Sequence, residues 1–278
     1  MAQKQHSLTV ISSKPDKQKD IEALGARAAI GSVEDIQFLA KTFQGAGAVY
    51  AMLPPLNFSD PNLDVIADYR KLANNYARAI QQSGVKRVVH LSSVGAHLNK
   101  GTGLILLHHQ AEDILGKLSG VGITFMRPVG FYYNLYAFLG GIRANGTMAS
   151  NYGAEDRIPW VSPFDIASAI AEELVTPLAG TKVRYVASEE LTCNEVASIV
   201  GAAIGKPDLK WSLITDEQLQ SSFEQMGMSK ALAAGFVEMQ ANMYKGPFYD
   251  DYYLHRPVLC KVKMKDFAKE FAAAYKQG

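Results

Sequence analysis

Lys86-Arg87-Val88-Val89-His90-Leu91 is a nearly unbroken apolar run behind two basic residues, and it ends in Ser92-Ser93. An apolar run without alternation suits a strand covered on both faces, as in a parallel sheet between helical layers. The same grammar repeats on either side. Upstream, Ala48-Val49-Tyr50-Ala51-Met52-Leu53 stops at Pro54-Pro55, and Asp60-Pro61 opens a helix to about Gln82 that Gly84 closes. Earlier still, Leu8-Thr9-Val10-Ile11 leads through Ser13-Lys14-Pro15-Asp16 into a helix that Gly25 ends. Ala26 to Ile30 is another apolar run, and Val33, Ile36, Leu39, Ala40 and Phe43 share one helical face. Downstream come a helix from about Leu104 to Leu118 and the run Val121-Gly122-Ile123-Thr124-Phe125-Met126. Alternating strands and helices at this spacing predict right-handed βαβ units, and so an α/β, doubly wound, Rossmann-like parallel sheet.

After Pro128 the pattern changes. Aromatic residues and glycines crowd Gly130 to Tyr136, and Gly140-Gly141, Asn145-Gly146 and Asn151-Tyr152-Gly153 mark turns. Ser162-Pro163-Phe164-Asp165 opens a helix as an N-cap, a first-turn proline and an N3 acid, with Asp165 read as a capping acid; Thr192-Cys193-Asn194-Glu195 and Thr215-Asp216-Glu217-Gln218 are capping boxes. Thr215 to Tyr244 reads as one Met-rich helical stretch; Lys182 to Ser188 and Leu209 to Ile214 read as strands, and Asp250-Asp251-Tyr252-Tyr253 as a surface loop. The expected division is a dinucleotide-binding region at 1–128, with 157–190 returning to it. The rest, 129–156 and 191–278, is a smaller C-terminal α+β lobe over the carboxyl edge of the sheet, where such folds bind ligands.

Composition narrows the function. The 278 residues are 48% hydrophobic and 20% charged, a globular balance. Twenty-eight Lys and Arg against twenty-seven Asp and Glu leave no field to attract nucleic acid. Apolar runs stop short of the roughly 18 residues that cross a bilayer, so no membrane partner is expected. The N-terminus has no apolar signal-peptide core. Two cysteines, Cys193 and Cys260, suit a reducing compartment, and the expected setting is the cytoplasm.

Five ordered pieces resemble a known family. They are Ala48–Leu53 with Pro54-Pro55, Val88 to Ala96, His108 with Ala111-Glu112, Arg127-Pro128 before an aromatic run with Asn134, and Trp160-Val161 before Asp165-Ile166-Ala167. Together they look like the NmrA-like branch of the atypical short-chain dehydrogenases, which includes NADPH-dependent quinone reductases and non-catalytic NADP sensors. The resemblance covers nearly the whole chain and implies an NAD(P) site. One departure is large. Relatives begin with a strand and a glycine-rich turn that lays the pyrophosphate on a helix N-terminus. Here the match begins at the second strand, and Gly25, Gly31, Gly45 and Gly47 form no such turn. The expectation is an N-terminally truncated version, with Met1 to His6 as the tail of the missing first helix and weak dinucleotide binding in its absence.

Ser12, Ser13 and Lys14 follow the strand that meets the adenosine ribose in such folds. Hydroxyls and a lysine there favour the 2′-phosphate of NADP over NAD, although a helix cap with a solvated lysine explains them too. Ser32 stands where relatives carry an acid beside the adenine. Leu53, Pro54 and Pro55 would line the nicotinamide side, together with Ser92, His108 and Pro128. Ser93, Phe131, Tyr132 and Asn134 are candidates for the acceptor, by hydroxyl contact, ring stacking and amide hydrogen bonding, against turn-forming and core-packing alternatives. Cys193 reads as structural.

The resemblance also locates the chemistry. Extended relatives carry a tyrosine, a lysine four residues later, and Ala-Glu three and four beyond that. Anchored on Ala111-Glu112, the lysine position is His108 and the tyrosine position is Leu104. Leucine has no proton to give, so reduction of ketones through a tyrosine acid is not expected. A quinone asks less of the protein, because hydride transfer is the cofactor's chemistry. His108 could orient the ribose or protonate a reduced quinone near neutral pH. Neither His108 nor His109 has a partner at metal-ligand spacing, so no metal is expected. Two functions follow: an NADPH-dependent oxidoreductase of quinones or similar flat small-molecule acceptors, or a non-catalytic NADP-binding redox sensor acting through a protein partner.

Overall fold

The computed structural model describes residues 6–55, 60 and 63–277. Two parallel sheets carry the N-terminal half. One pairs β1 (Thr9–Ser12) with β2 (Arg27–Ile30); the other runs in the order β3 (Val49–Met52), β4 (Arg87–Leu91), β5 (Gly122–Pro128), β9 (Thr181–Val186). Helices α1 (Gln18–Ala23), α2 (Ile36–Phe43), α3 (Val65–Ser83) and α4 (Leu106–Leu115) connect these strands, so the fold is the doubly wound, Rossmann-like α/β arrangement. α2 packs on α3, and the turn after β2 is tied there by Lys71 Nζ to Glu34 (2.7 Å) and by the Asn75 amide donating to the Glu34 carbonyl (3.3 Å).

β5 is buried along its whole length, as a run covered on both faces should be. β3 is not. Val49 and Ala51 are buried, but Tyr50 and Met52 on the other face are 39% and 42% exposed, and Val10 in β1 is 41% exposed. One edge of β1 and one edge of β3 carry no strand among the described residues. Met1 to Gln5, five of the six residues expected to form a helix tail, and Pro61 of the expected helix start lie outside the described residues; α3 begins at Val65, capped by Asp64 accepting from the Ala67 amide (3.0 Å). Gly84 closes it in the left-handed region (φ 76°).

Past β5 the chain forms β6 (Gly130–Phe131), α5 (Leu139–Asn145), β7 (Thr147–Ser150), β8 (Arg157–Val161) and α6 (Pro163–Leu174). After β9 come β10 (Glu189–Thr192), α7 (Cys193–Ala203), β11 (Lys210–Leu213), α8 (Asp216–Gln225), α9 (Lys230–Lys245), α10 (Asp250–Leu254) and α11 (Met264–Gln277). Two small sheets, β10-β8-β6 and β11-β7, accompany these helices. One core cluster gathers Leu39, Ala51, Leu72, Val88, Ile123 and Leu115; a second gathers Met126, Trp160, Val186, Val196, Trp211 and Phe271. No helix among the described residues is long and apolar enough to cross a membrane.

Three local expectations need correction. The stretch from Thr215 divides into α8 and α9, because Gly227 turns the chain in the left-handed region (φ 92°) and Ser229 starts a new helix by accepting from the Leu232 amide (3.3 Å). Ser162 caps α6 as its sequence predicts, but Asp165 adds no cap. The Asp165 carboxylate is buried and accepts from the Ser188 hydroxyl (2.7 Å) and the Val262 amide (3.0 Å), tying the C-terminal segment to α6. Asp250 to Tyr253 is a short helix rather than a surface loop, with Tyr252 fully buried and its hydroxyl donating to Glu190 (2.8 Å).

Candidate functional site

Parallel strands put their carboxyl ends at one edge of a sheet, so Leu53, Ser92 and Pro128 share the edge of the four-stranded sheet. Ser12 and Ser32 share the edge of the other, where the Gly31 amide donates to the Ser12 carbonyl (3.0 Å). The turn after β4 is stitched to β5: Ser92 N donates to the Met126 carbonyl (2.8 Å) and Val94 N to that of Pro128 (3.0 Å).

The adenosine-side candidates are open to solvent. Ser13 and Lys14 are exposed, and Lys14 forms no ion pair among the described residues. Ser12 Oγ accepts from the Lys14 amide (3.2 Å), which turns the chain and lifts the lysine clear. Ser32 Oγ accepts from the Glu34 amide (3.1 Å), so that hydroxyl also serves its own turn. Leu53 is buried, Pro54 half-buried and Pro55 exposed, a wall that steps from core to water. These groups lie along the carboxyl edges of the two sheets, and of the polar ones the Lys14 ammonium is without an ion pair among the described residues.

Behind the cleft lies a network that the sequence did not reveal. Arg127 grips Glu112 with two charge-assisted bonds (Nε to Oε1, 2.9 Å; Nη2 to Oε2, 2.6 Å), and the Ser92 hydroxyl donates to the same carboxylate (2.5 Å). Arg127 Nη1 reaches Asp251 (3.0 Å), which also accepts from the Tyr185 hydroxyl. Strand ends, α4 and α10 are thereby locked together. The clues were Glu112 and Arg127 themselves, both quoted as motif pieces without a role. His109 joins the same frame, its Nδ1 lying 3.0 Å from the Ala96 carbonyl.

His108 stands one helical turn before Glu112. It is half-buried, its Nδ1 is enclosed without a partner, and burial lowers its pKa to about 4. At neutral pH the ring is therefore uncharged, so the expectation that His108 gives up a proton as an imidazolium near neutrality is corrected; a neutral N–H donor is what the site offers. Leu104 packs against Gly235 of α9, where a Cβ would lie 2.9 Å from its Cδ2. Of the acceptor candidates, Ser93 and Phe131 are half-buried and Asn134 is exposed. Tyr132 is fully buried, stacked on Phe267 with its hydroxyl donating to the Val262 carbonyl (3.2 Å), so the structure puts it in the core rather than at the cleft. Cys193 is buried, which pushes its thiol pKa up despite the helix N-terminus. A separate cavity of about 600 Å³, lined by Arg127, Arg184, Tyr185, Asp251, His255 and Cys260 among others, contains none of the candidate residues.

Comparison with known proteins agrees with the fold. The (4-alkanoyl-5-oxo-2,5-dihydrofuran-3-yl)methyl phosphate reductase of Streptomyces griseus is 23% identical over 199 residues, 71% of this chain and 66% of that protein, just under two thirds of its length. The NADPH-dependent quinone oxidoreductase of Escherichia coli, in complex with NADPH, superposes with a TM-score of 0.78 at 19% identity, covering 97% of this chain and 93% of that one. The triphenylmethane reductase of a Citrobacter species, in complex with NADP(H), gives 0.75 at 18%, covering 98% and 93%. The family described as NAD(P)H-binding matches residues 1–174, well over half of the chain. With a doubly wound sheet under that match, the chain belongs to the NAD(P)H-binding family.

Proposed function

We propose that this chain is an NADPH-dependent oxidoreductase of quinones or similar flat acceptors, in the NmrA-like branch of the atypical short-chain dehydrogenases. One observation carries the reading: Leu104, which has no proton to give, packs against Gly235 of α9 four residues before His108. When bound, the nicotinamide supplies the hydride. This chain's residues do the positioning. Ser12, Ser13 and Lys14 take the 2′-phosphate side of the adenosine, and Ser32 borders the adenine. Leu53, Pro54, Pro55, Ser92 and Pro128 wall the nicotinamide side. Ser93, Phe131 and Asn134 border the acceptor, and His108 donates a hydrogen bond to the acceptor oxygen as it gains charge. A hydride brings two electrons and one proton, and water brings the second proton that makes the hydroquinone.

This reading also divides the chain into a dinucleotide region, 1–128 with 157–190, and an acceptor lobe, 129–156 with 191–278. It sets the protein in the cytoplasm, in keeping with two free cysteines. It further holds that the sheet takes one more parallel strand between the free edges of β1 and β3, carrying the glycine turn of NmrA-like relatives. The edges of β1 and β3 that carry no strand among the described residues support that position.

The test pairs calorimetry with turnover, on the 278-residue chain and on a version with a strand and glycine turn added ahead of Met1. The extended version should bind NADPH more tightly than NADH and more tightly than the shorter chain does. It should oxidise NADPH with quinones and barely with ketones or aldehydes. Tighter NADH binding, or robust ketone reduction, overturns the reading. NADPH binding without turnover on any acceptor transfers it to the redox sensor.

A further inference from the structure

The turn after β4 carries two serines in different circumstances. Ser92 is buried and gives its hydroxyl to Glu112. The Ser93 hydroxyl, half-buried, bonds to no group among the described residues. Without a bond of its own, it stands where the backbone of the turn puts it. That backbone is closed internally, Ala96 N donating to the Ser93 carbonyl (3.2 Å) and Leu98 N to that of Gly95 (3.0 Å). β5 holds it through Ser92 N and Val94 N, and α4 through His109 Nδ1, 3.0 Å from the Ala96 carbonyl.

A further support comes from the C-terminal lobe. Between α9 and α10 the chain makes a short 3-10 turn, Pro247–Tyr249, in which Phe248 is 2% exposed. Phe248 shares a core cluster with Val94 of the serine turn, and Tyr249 meets its ring edge-on at 5.1 Å. Gly95 lies in the left-handed region (φ 82°), and a Cβ there would stand 2.7 Å from Phe248 Cε2 and 2.9 Å from Cζ. The ring therefore fills the place that a side chain would take, and glycine suits both the conformation and the contact. Three residues after Phe248, Asp251 binds Arg127 and through it Glu112, the carboxylate that holds Ser92. One segment of the lobe thus reaches the turn twice, by a ring on Gly95 and by a chain of charges to Ser92.

We propose that Phe248 is a positioning residue for Ser93: seated on Gly95, it fixes the turn so that the free hydroxyl is presented to the oxygen of a hydride acceptor. A hydrogen bond to an oxygen that gains charge weakens steeply with distance and angle. A hydroxyl with no internal partner is directed only by its backbone, so the rigidity of the turn sets the strength of that bond. The inference rests on the acceptor role given to Ser93 above, but its first readout needs neither cofactor nor acceptor.

The first measurement is mass-spectrometric hydrogen exchange on the full chain. Phe248→Ala should speed exchange across residues 92–98 about tenfold and leave 122–126 of β5 unchanged, and Phe248→Leu, which keeps an apolar branch over Gly95, should restore most of the protection. The second is a kinetic cycle. Phe248→Ala should lower kcat on quinones about tenfold with the KM for NADPH little changed. In a Ser93→Ala background the same substitution should change nothing further, because the hydroxyl that it positions is gone. Unmoved exchange at the turn, β5 loosened as much as the turn, or losses in kcat that simply add each overturn the proposal. Should Phe248→Ala fail to fold, Gly95→Ala, which forces the ring off the turn, takes its place in both measurements. A protein that turns over no quinone would defeat the proposed function, and the exchange result would still decide whether Phe248 holds the turn.

Discussion

Glu173 gathers three cations around one buried carboxylate: Arg87 at 3.0 Å, Lys182 at 2.8 Å and Arg184 at 2.9 Å, with the Thr124 hydroxyl donating at 2.9 Å. Removing one partner from a buried ion pair strands the others, at about 3–5 kcal/mol. Glu173→Gln should therefore lose about that much in urea unfolding, and a loss below about 1 kcal/mol would mean that the cations find other partners. Burial opposes ionisation of Glu173, but the bonds from Lys182, Arg184 and Thr124 win and hold its pKa below the usual carboxylate value. Its contribution is thus present above the unfolded pKa and lost as pH falls through the folded one. The histidines act earlier in an acid titration. His90 and His108 are lowered to about 3 and about 4, so below the ordinary histidine pKa of about 6.5 the unfolded chain takes up protons that the folded chain refuses. Stability should then fall by about 1.4 kcal/mol per pH unit for each histidine between about pH 6 and pH 4. His90→Leu should remove one histidine's share of that slope, and an unchanged slope would show that neither the ring nor its burial governs acid lability. A strand end gives a residue an address along the chain, and Ser92 does follow the end of β4. His90 has no such address: it looks like one more letter of an apolar run, because nothing along the chain says that packing from elsewhere will bury it completely.

The contact between α9 and the turn Gly103–Ile105 shows what element packing adds to pattern. Gly103 lies at φ 51°, and a Cβ there would stand 2.0 Å from the Gly235 carbonyl and 2.8 Å from the Met239 amide. Backbone meets backbone, and neither can yield. At Gly235 the obstacle to a Cβ is the Leu104 side chain, 2.9 Å away, which can rotate. Gly103→Ala should thus cost about 3 kcal/mol, combining left-handed strain with overpacking, while Gly235→Ala should cost about 1 kcal/mol. Denaturant midpoints of the two variants measure the difference, and equal losses would contradict the rigid-contact argument. Capping chemistry was legible at this scale. Thr192 and Thr215 close the capping boxes that their sequences announce, because the motif contains both partners within one turn. What stayed hidden needed a distant element. The burial of Tyr252 against Glu190 is decided by a partner far along the chain, whereas the break between α8 and α9 lies in the local residues Gly227 and Ser229.

Across the whole molecule the two sheets differ in what holds them. β4 has a neighbour on each side and is buried from Arg87 to His90, with β5 enclosed beside it. β1 has a neighbour on one side only, and α1 buries a single residue, Ile21. The sequence carried the order of strands and helices almost unaided, because the alternation that defines βαβ units is local. It read β3 as covered on both faces, and Tyr50 and Met52 show otherwise, since coverage depends on an element packing from elsewhere. Few buried apolar contacts and an open edge mean a low free energy of local opening. Amides of β1 and β2 should therefore exchange with solvent well before those of β4 and β5, through opening that leaves the rest of the sheet intact. Mass-spectrometric hydrogen exchange on the full chain resolves these segments. A strand and glycine turn added ahead of Met1 should slow exchange at Thr9–Ser12 and Val49–Met52 together, because one strand between two parallel edges bonds to both. Protection at β1 alone would place the added strand outside the sheet's interior, and uniform exchange across all four strands would show that the two sheets open as one unit.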